Sequence, residues 1–249
     1  MLKEERHQVI LNEVALHNRI LLTDISEVLN VSVDTVRRDV IYLDAEKKLQ
    51  KVHGGAISLG FANNTGDQDQ VYALSKKTKI AEKALRLLKN GNVIIIHGGT
   101  TCLELARLIP SKMSLTCFTL SLPVAIELSK KPKLEVVLIG GTLAKESLIA
   151  SGGNAIHNLS KIKVDYSFLG TGYVDPIHGL TEFDWESVQV KKAVVHAAKN
   201  PVLLTISEKL NSRNRYQTCE LSDIATMITE LDPDDALLND FRIAGLSLY

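Results

Sequence analysis

The sequence predicts an α/β protein with two domains, an N-terminal winged helix-turn-helix and a larger α/β domain built around a mostly parallel sheet. Three observations lead to this prediction. Two short amphipathic helices with a tight turn lie near the N-terminus, a stretch rich in glycine, asparagine and aspartate follows, and helical patterns then alternate with short β-branched runs. A chain of 249 residues is long enough for one large core and a smaller appendage. We therefore expect a first domain at residues 1–57, a linker at 58–72 and a second domain at 73–249.

The first domain begins with three predicted helices. Apolar residues recur at helical spacing over residues 6–16 and indicate the first helix. Thr23 is the expected N-cap of a second helix over 24–29, and Ser32 is the expected N-cap of a third. The apolar stripe of this third helix consists of Val33, Val36, Val40 and Leu43.

The face opposite that stripe is the candidate surface for nucleic acid. It presents Asp34, Thr35, Arg38 and Ile41, with Arg37 at its border. In a helix-turn-helix, such a face enters the major groove, so we expect Thr35 and Arg38 to touch base edges or phosphates and Arg37 to hold the DNA backbone. The alternative interpretation of Arg37 and Arg38 is a solvated helix face, or ion pairs with Asp39 and Asp44.

A β-wing is predicted directly after the third helix. Residues 48–57, KLQKVHGGAI, contain two short runs with Gly54 and Gly55 at the turn, and we expect Lys51 and His53 to contact phosphates. The net charge of +0 argues against non-specific coating of nucleic acid, so binding must be local. Residues 37–53 carry a surplus of two positive charges, which agrees with a local contact.

Composition excludes several other classes of protein. No apolar run exceeds four residues, so a membrane span is excluded, and the N-terminus lacks the features of a secretory signal, which favours the cytoplasm. Cys102, Cys117 and Cys219 form no C-x-x-C spacing and are interpreted as reduced structural thiols. The seven histidines show no ligand spacing, so we expect no metal.

The second domain shows the alternation of an α/β sheet. Helices are predicted at residues 76–89, 102–108, 124–130, 184–199 and 234–244. Strands are predicted at residues 93–97, 115–119, 135–139, 165–169, 202–206 and 224–229.

Small and hydroxylated residues follow several of these strands at their carboxyl ends, where open α/β sheets bind ligands. The loop after strand 93–97 offers free amides, two hydroxyls and a helix N-terminus to a phosphate. Ser121 and then Gly140 and Gly141 follow the next two strands, and Lys209 lies three residues past strand 202–206. The alternative interpretations are tight turns at the glycines and a solvated lysine.

These residues resemble the DeoR/GlpR family of bacterial regulators over nearly the whole chain. HGGA at 53–56 is similar to the family's wing. The spacing of its DNA-binding signature is matched by Arg6, Ile10, Val14, Ser32, Thr35, Arg37, Arg38 and Asp39. Blocks of its second domain are matched in order by GGTT at 98–101, LSLPVA at 120–125, LIGGTLAKES at 138–147, GLT at 179–181, VKKAV at 190–194 and SEKL at 207–210.

The resemblance implies a sensor fold shared with ribose-5-phosphate isomerase, in which the loop at 98–101 holds the phosphate of an effector. It also makes Lys191 and Lys209 ligand-site candidates. His97, Leu120 and Ile206 stand where the family usually has aspartate, asparagine and aspartate, so sugar contacts should differ more than phosphate contacts. The full set of expected effector residues is His97, Gly98, Gly99, Thr100, Thr101, Ser121, Gly140, Gly141, Lys191 and Lys209.

Together the residues and the resemblance predict a sequence-specific DNA-binding transcriptional regulator. The expected form is a repressor of carbohydrate-metabolism genes that a phosphorylated sugar-type effector relieves. Its expected partners are double-stranded operator DNA, the effector and further copies of the chain in a homo-oligomer, with no membrane.

Two alternatives stay open. One is a sugar-phosphate isomerase-like enzyme with a DNA-binding appendage, and the other is a constitutive DNA-binding protein with a degenerate sensor. An isomerase needs a positioned carboxylate beside the bound sugar. Glu182 and Asp184 are the candidates, with solvated loop charges as the simpler interpretation. We therefore expect no catalytic residues, no enzymatic activity and no cofactor.

Overall fold

A computed structural model describes residues 1–59 and 71–249 of the chain. The chain divides into two compact units, Met1–Tyr72 and Ala73–Tyr249. Most of the expected linker, from residue 60 to residue 70, lies outside the described residues.

The first unit combines a helix-turn-helix with a small antiparallel sheet. The sheet has the strand order β1-β3-β2, with β3 antiparallel to both neighbours. The elements are α1 (Lys3–His17), β1 (Arg19–Leu21), α2 (Leu22–Leu29), α3 (Val33–Ala45), β2 (Gln50–Val52) and β3 (Gly55–Ile57).

The core of this unit confirms the predicted stripe of α3. Val36, Val40 and Leu43 are at most 1% exposed, and Val33 packs against the same cluster. Asn30 ends α2 in the left-handed region, with φ of 51°.

The predicted N-cap of α2 is wrong. The helix begins at Leu22, one residue before Thr23, and Leu21 occupies the cap position without a side-chain hydrogen bond. The reason is β1, which the sequence analysis missed: residues 19–21 pair with the wing strand β3, and the Leu22 N–H donates to the Gly54 carbonyl at 2.9 Å. Thr23 then lies inside the helix, where its hydroxyl bonds to Asp24.

The second unit is an α/β domain with helices and strands in alternation. Its helices are α4 (Leu74–Leu85), α5 (Thr100–Leu108), α6 (Leu122–Ser129), α7 (Gly153–Leu159), α8 (Trp185–His196) and α9 (Asn239–Ile243). Its strands are β4 (Val93–Ile96), β5 (Leu115–Thr119), β6 (Leu134–Leu138), β7 (Thr142–Ala144), β8 (Ile149–Ser151), β9 (Val164–Leu169), β10 (Tyr173–Asp175), β11 (Gly179–Glu182), β12 (Ala198–Leu204), β13 (Tyr216–Cys219), β14 (Thr226–Ile228) and β15 (Ser247–Leu248).

A seven-stranded sheet with the order β15-β14-β12-β9-β4-β5-β6 forms the centre of this unit. All of its pairings are parallel, which confirms the predicted sheet and places the carboxyl ends of its strands along one edge. Two smaller antiparallel sheets, β10-β11-β13 and β7-β8, come from short strands that the sequence did not reveal.

Three predicted helix boundaries need correction. The helix expected at 76–89 ends at Leu85, because the backbone N–H groups of residues 86–88 bond three residues back, as in turns. The helix expected at 184–199 ends at His196, because residues from Ala198 onward pair with β9 and extend β12 towards the N-terminus. The helix expected at 234–244 is limited to α9 and a preceding 3₁₀ turn at Ala236–Leu238, where the Asp235 side chain caps the turn.

All three cysteines are free and buried, as expected of structural thiols. Burial is the main cause that raises the pKa of each of Cys102, Cys117 and Cys219 to about 12. No helix within residues 1–59 and 71–249 has the length and apolar character needed to cross a membrane.

Candidate functional site

The candidate surface for nucleic acid on the first unit begins at the N-cap of α3. The Ser32 Oγ accepts a hydrogen bond from the Thr35 N–H at 3.2 Å and lies 2.9 Å from the Thr35 Oγ1, which confirms the predicted cap. These two residues therefore fix the start of the helix, and their hydroxyls are mutually bonded in this structure.

The exposed face of α3 is cationic and polar. Arg37 and Arg38 are both exposed, and Ile41, one turn beyond Arg38, is 46% exposed. Arg37 forms an ion pair with Asp34, also on the exposed face. Arg38 has no hydrogen bond or ion pair with the residues of either described range. The expected alternative pairing with Asp39 and Asp44 is thus wrong for both arginines.

Asp39 instead ties α3 to α1. Its carboxylate accepts hydrogen bonds from Arg6 Nε at 2.8 Å and Nη2 at 3.2 Å, and lies 3.0 Å from the His7 Nε2. Burial opposes ionisation of Asp39, but these hydrogen bonds prevail and lower its pKa. The His7 ring stacks on Tyr42, with ring centroids 5.1 Å apart. In the sequence, Arg6 and Asp39 were recognisable only as parts of a signature, and their pairing was not predicted.

The wing lies where the sequence predicted it. Lys51 is exposed on β2 with its backbone N–H bonded to the Asp44 carboxylate at 2.9 Å, and His53 is exposed in the turn. Gly55 is required here because a Cβ at this position would lie 2.0 Å from the Ile20 carbonyl oxygen.

In the second unit, the carboxyl edge of the large sheet gathers the predicted effector residues. Neighbouring strands of a sheet lie about 4.8 Å apart, so five successive strand ends span roughly 20 Å. In the order β12, β9, β4, β5 and β6, these strand ends lead to Lys209, Thr171, His97, Ser121 and Gly140.

The loop after β4 has the geometry of an anion site. His97 is 4% exposed, and its Nδ1 has no hydrogen-bond partner within the part of the chain that the structure describes. Burial, with Lys191 nearby, lowers the pKa of His97 to about 3, so the imidazole is neutral. Gly99 has φ of 102°, and α5 begins at Thr100, so the N–H groups of its first turn have no partner within the helix.

Lys191 lies near this loop, where its charge acts on His97, and Lys209 lies near Lys191. Lys191 forms an ion pair with Glu182, and Lys209 donates to the Thr171 carbonyl at 2.9 Å. Burial lowers the pKa of Lys209 to about 8, with Lys191 acting in the same direction and Glu182 opposing it.

A third lysine, which the sequence did not indicate, belongs to the same cluster. Lys77 on α4 is only 6% exposed. Burial and the charge of Lys209 lower the pKa of Lys77 to about 7, with Glu208 opposing. Its position in a helix rich in polar residues gave no signal of burial.

The two acidic candidates are not solvated loop charges, so that expectation is wrong. Glu182 is 5% exposed and accepts hydrogen bonds from the Gly172 N–H at 2.8 Å and the Thr171 hydroxyl at 3.2 Å. Asp184 is the N-cap of α8 and accepts from the Ser187 N–H at 2.8 Å. Each carboxylate is already held by protein donors.

Ser121 lies beside the loop and serves its own helix. The Ser121 Oγ accepts from the Val124 N–H at 3.4 Å and caps α6. A Cβ on Gly98 would lie 3.2 Å from the Ser121 Cβ, so the two residues are close neighbours.

Gly140 and Gly141 lie apart from this cluster. They line an open recess of about 600 Å³, together with residues 142, 151–154, 157 and 158. The recess is lined neither by residues 97–101 nor by the three lysines. The lysine cluster is the stronger candidate for an anion site, because buried cations provide a specific attraction for an anion that the recess lacks.

The chemistry of the cluster is that of anion binding. Lys191 and Lys209 flank one buried carboxylate, Glu182, near a helix N-terminus and a neutral imidazole, and Lys77 lies near Lys209. Within residues 1–59 and 71–249, no group of three or more histidine, cysteine or acidic side chains is arranged to hold a metal ion.

Comparison with family models matches both units. The model of the DeoR-like helix-turn-helix domain matches residues 6–60, and the model of the DeoR C terminal sensor domain matches residues 73–231. The second match alone covers more than half of the chain.

Relatives with curated names are similar over almost their full length. The HTH-type transcriptional repressor GlcR of Bacillus subtilis is 32% identical, covering 100% of this chain and 96% of the relative. The HTH-type transcriptional regulator GlpR of Haloferax volcanii is 31% identical, covering 100% and 98%. The HTH-type transcriptional regulator GolR of Listeria innocua is 29% identical, covering 97% and 96%.

Similarity to solved structures is weaker. Ribose 5-phosphate isomerase A of Methanocaldococcus jannaschii is 20% identical with a TM-score of 0.42, over 56% of this chain and 55% of that one. A chain of the eIF2B-β2δ2 complex of Chaetomium thermophilum is 15% identical with a TM-score of 0.49, over 90% and 68%. At these scores the similarity carries no information about function.

Proposed function

The chain belongs to the DeoR family of DNA-binding transcriptional regulators, and from that membership we propose that it is a repressor relieved by a phosphorylated sugar-type effector. Residues 1–57 would bind operator DNA, and residues 73–249 would bind the effector. The regulated genes would be those of carbohydrate metabolism, with the protein acting in the cytoplasm as a homo-oligomer.

One observation supports the effector proposal above the others: Lys191 and Lys209 lie around a single buried carboxylate beside the loop at 98–101. Glu182 is ion-paired with Lys191, so Lys209 has no ion pair of its own within the described residues, although the charges of Glu182 and Glu208 act on it. Burial makes such a charge unfavourable without a ligand. A phosphate group would offset that charge and accept hydrogen bonds from the first turn of α5.

The proposed effector residues are His97, Gly98, Gly99, Thr100, Thr101, Ser121, Lys191 and Lys209, with Gly140 and Gly141 kept as a second, separate group. The proposed DNA contacts are Ser32, Thr35, Arg37, Arg38, Lys51 and His53. The neutral His97 would meet the sugar part of the effector through its unpartnered Nδ1.

We propose no catalytic activity. The isomerase alternative needs a carboxylate able to exchange a proton with the sugar. Glu182 is engaged by three donors, and Asp184 caps a helix. Turnover of ribose 5-phosphate by the purified protein would contradict this part of the proposal.

The test is a thermal-shift screen of the purified chain against sugar phosphates and their unphosphorylated sugars, followed by operator binding with any hit. A ligand that binds only the folded state raises Tm by mass action. We expect a saturable shift with a phosphorylated compound, loss of that shift in Lys209→Met, and its retention in Lys199→Met, an exposed lysine near the start of β12. No shift across the panel, with operator binding intact, would favour a constitutive DNA-binding protein.

A further inference from the structure

Two aromatic side chains of the second unit contact each other and still remain exposed to solvent. The rings of Trp185 and Tyr216 meet edge to face, with centroids 5.6 Å apart and an interplanar angle of 73°. Trp185 is nonetheless 54% exposed, and Tyr216 is 38% exposed. Because rings in this arrangement attract each other, the pair forms a preformed apolar surface.

This aromatic pair lies next to the ion pair of Lys191 and Glu182. Tyr216 on β13 is directly opposite Glu182 on β11 in the antiparallel register. Residues in such positions have their side chains on the same face of the sheet, with Cβ atoms about 5 Å apart. Trp185 is the first residue of α8, the helix that also contributes Lys191. The same strands and the same helix therefore carry both pairs.

The start of α8 holds Trp185 in a defined position beside a further cation. The Asp184 carboxylate accepts from the Ser187 N–H at 2.8 Å and from the Ser187 hydroxyl at 2.6 Å, which fixes the first turn of the helix. The Lys192 Nζ lies 6.0 Å from the centre of the Trp185 ring, within reach of a cation–π attraction. Lysines thus border the aromatic surface, which favours a ligand with both an apolar face and an anionic group.

A sugar phosphate in its ring form has both of these properties. One face of a ring such as a glucopyranose carries mainly C–H groups, which pack well on the electron-rich face of an indole, while lysines attract the phosphate. An open-chain sugar alcohol phosphate carries the same anion without a rigid C–H face. It also loses more conformational freedom when it binds.

We propose that Trp185 is a further contact of the effector, with its ring packed against the C–H face of a cyclic sugar phosphate, and that Tyr216 holds Trp185 in position. The inference rests on the proposed effector function and deepens it, because it names the class of effector. The phosphate lies on the side of Lys191, and the sugar ring lies on the side of Trp185. Trp185 is then the residue that distinguishes a cyclic effector from an open-chain one.

The chain contains a single tryptophan, so the emission of Trp185 reports directly on the proposed contact. The probes are the ring-forming sugar phosphates of the panel. Each is paired with the open-chain alcohol of the same carbon number and phosphate position, such as glucose 6-phosphate with glucitol 6-phosphate. Inorganic phosphate at equal ionic strength is the reference. Each probe is titrated into the full chain while Tm and the quenching of tryptophan emission by acrylamide are recorded.

We expect a cyclic sugar phosphate to raise the Tm of the wild type saturably. Quenching of Trp185 should fall with the same midpoint, because the sugar ring then covers the indole. The open-chain partner should need a concentration about tenfold higher for the same rise in Tm. Inorganic phosphate should leave the quenching unchanged.

The variants are Trp185→Leu, Trp185→Phe and the matched control Tyr249→Leu, which changes an exposed aromatic residue directly after the edge strand β15. Leucine is apolar but has no aromatic face, whereas phenylalanine keeps a smaller one. We expect Trp185→Leu to need about tenfold more cyclic sugar phosphate, Trp185→Phe to lie between it and the wild type, and Tyr249→Leu to match the wild type. The midpoint for the open-chain partner should change by less than about threefold in Trp185→Leu. Tyr216→Leu, which should reduce the protection of Trp185 from quenching, is the second variant if Trp185→Leu does not fold.

The outcomes that would overturn the inference are distinguishable from failure of the proposed effector function. If the wild type binds a cyclic sugar phosphate with unchanged quenching of Trp185 and Trp185→Leu binds it equally well, only this inference fails. The same holds if the wild type binds each open-chain partner as tightly as its cyclic form. A change in sedimentation of Trp185→Leu with an unchanged ligand midpoint would make the aromatic pair an interface between copies of the chain instead. If the wild type responds to no probe, the proposed effector function fails and this inference fails with it.

Discussion

Two neighbouring side chains of α3, Arg37 and Arg38, differ in how readily they could contact DNA. Arg38 has no partner in the described residues, whereas Arg37 is ion-paired with Asp34. Arg38 is therefore available for base edges or phosphates without breaking another contact, and Arg37 is not.

We predict that Arg38→Ala weakens operator binding by about 1–3 kcal/mol and relaxes the preference at the base it reads. Arg37→Ala should weaken binding less, because Arg37 has to give up its ion pair with Asp34 before it can contact DNA. Fluorescence anisotropy at one fixed, moderate salt concentration measures both, with the exposed Arg86→Ala in the second unit as control. Equal affinity of Arg38→Ala and wild type would contradict the assignment.

A second prediction at the residue scale concerns pH and Lys77. The folded-state pKa of about 7 is below the ordinary value of 10.5, so between these values the unfolded chain binds more protons than the folded chain. The penalty of the buried charge is complete below pH 7 and is relieved as pH rises, so stability increases with pH by at most about 1.4 kcal/mol per unit for this group.

Urea unfolding at pH 7, 8 and 9, followed by the fluorescence of the single tryptophan, Trp185, measures this dependence. We expect the wild type and the control Lys79→Met, which changes an exposed lysine on the same helix, to gain stability over that range and Lys77→Met to gain less. The charged groups that face Lys77 are Lys209, whose pKa of about 8 adds a slope common to all three proteins, and Glu208, which stays ionised. Identical slopes of stability against pH in the three proteins would contradict the prediction, because Lys77 would then not change its charge between pH 7 and 9 in the folded protein.

Among the elements, α1 and α3 depend on one shared carboxylate. Asp39→Asn keeps the shape of the side chain but removes the charge that Arg6 and His7 meet. We predict a loss of about 1.5–3 kcal/mol in the opening free energy of these helices, because hydrogen bonds to a charged group of this kind are worth that much. Amide exchange of α1 and α3 measures it.

Asp34→Asn on the exposed face is the matched control and should change that opening free energy by no more than about 0.5 kcal/mol. If Asp39→Asn is as stable as this control, the contact does not hold the two helices together. Loss of operator affinity in Asp39→Asn without loss of stability would instead make Asp39 a direct contact.

At the scale of elements, prediction from sequence succeeded where a pattern is local. The stripe of α3, its cap at Ser32 and the strand at Leu115–Thr119 depend on periodicity and neighbouring residues, so the sequence revealed them. It failed where a distant partner decides. β1 has only three residues and exists because the wing strand β3 pairs with it. Because β1 ends at Leu21, α2 begins at Leu22, one residue earlier than a cap at Thr23 would allow.

The same limit applies to the candidate site. The loop at 98–101 was visible because glycines follow a strand. The burial of Glu182 and Lys77 was not visible in the sequence, because residues far along the chain determine whether a charged side chain is solvated. Gly140 and Gly141 were expected on the same edge, which is correct for their strand, but they line a recess whose lining includes neither the loop at 98–101 nor the lysines.

For the whole molecule, the proposed homo-oligomer makes a geometric prediction about DNA. In such an oligomer, two copies of α3 would bind two half-sites about one helical turn apart, or a multiple of that distance. Inserting five base pairs between the half-sites of a selected operator should abolish tight binding, because it turns one half-site to the opposite side of the duplex. Inserting ten should restore part of it. Binding that is insensitive to both insertions would indicate that each copy binds alone.

The reactivity of the three buried thiols can report on opening of the second unit. With pKa values near 12, almost none of each thiol is thiolate at neutral pH. Peroxide and alkylating reagents should therefore react slowly as long as the thiols stay buried in the folded domain. Labelling then reports how often each part of the second unit opens. Cys102 lies in the first turn of α5, directly after the proposed phosphate loop, whereas Cys117 lies inside β5. A bound effector would therefore slow the labelling of Cys102 in particular, and mass spectrometry of intact protein could time ligand residence without any added probe.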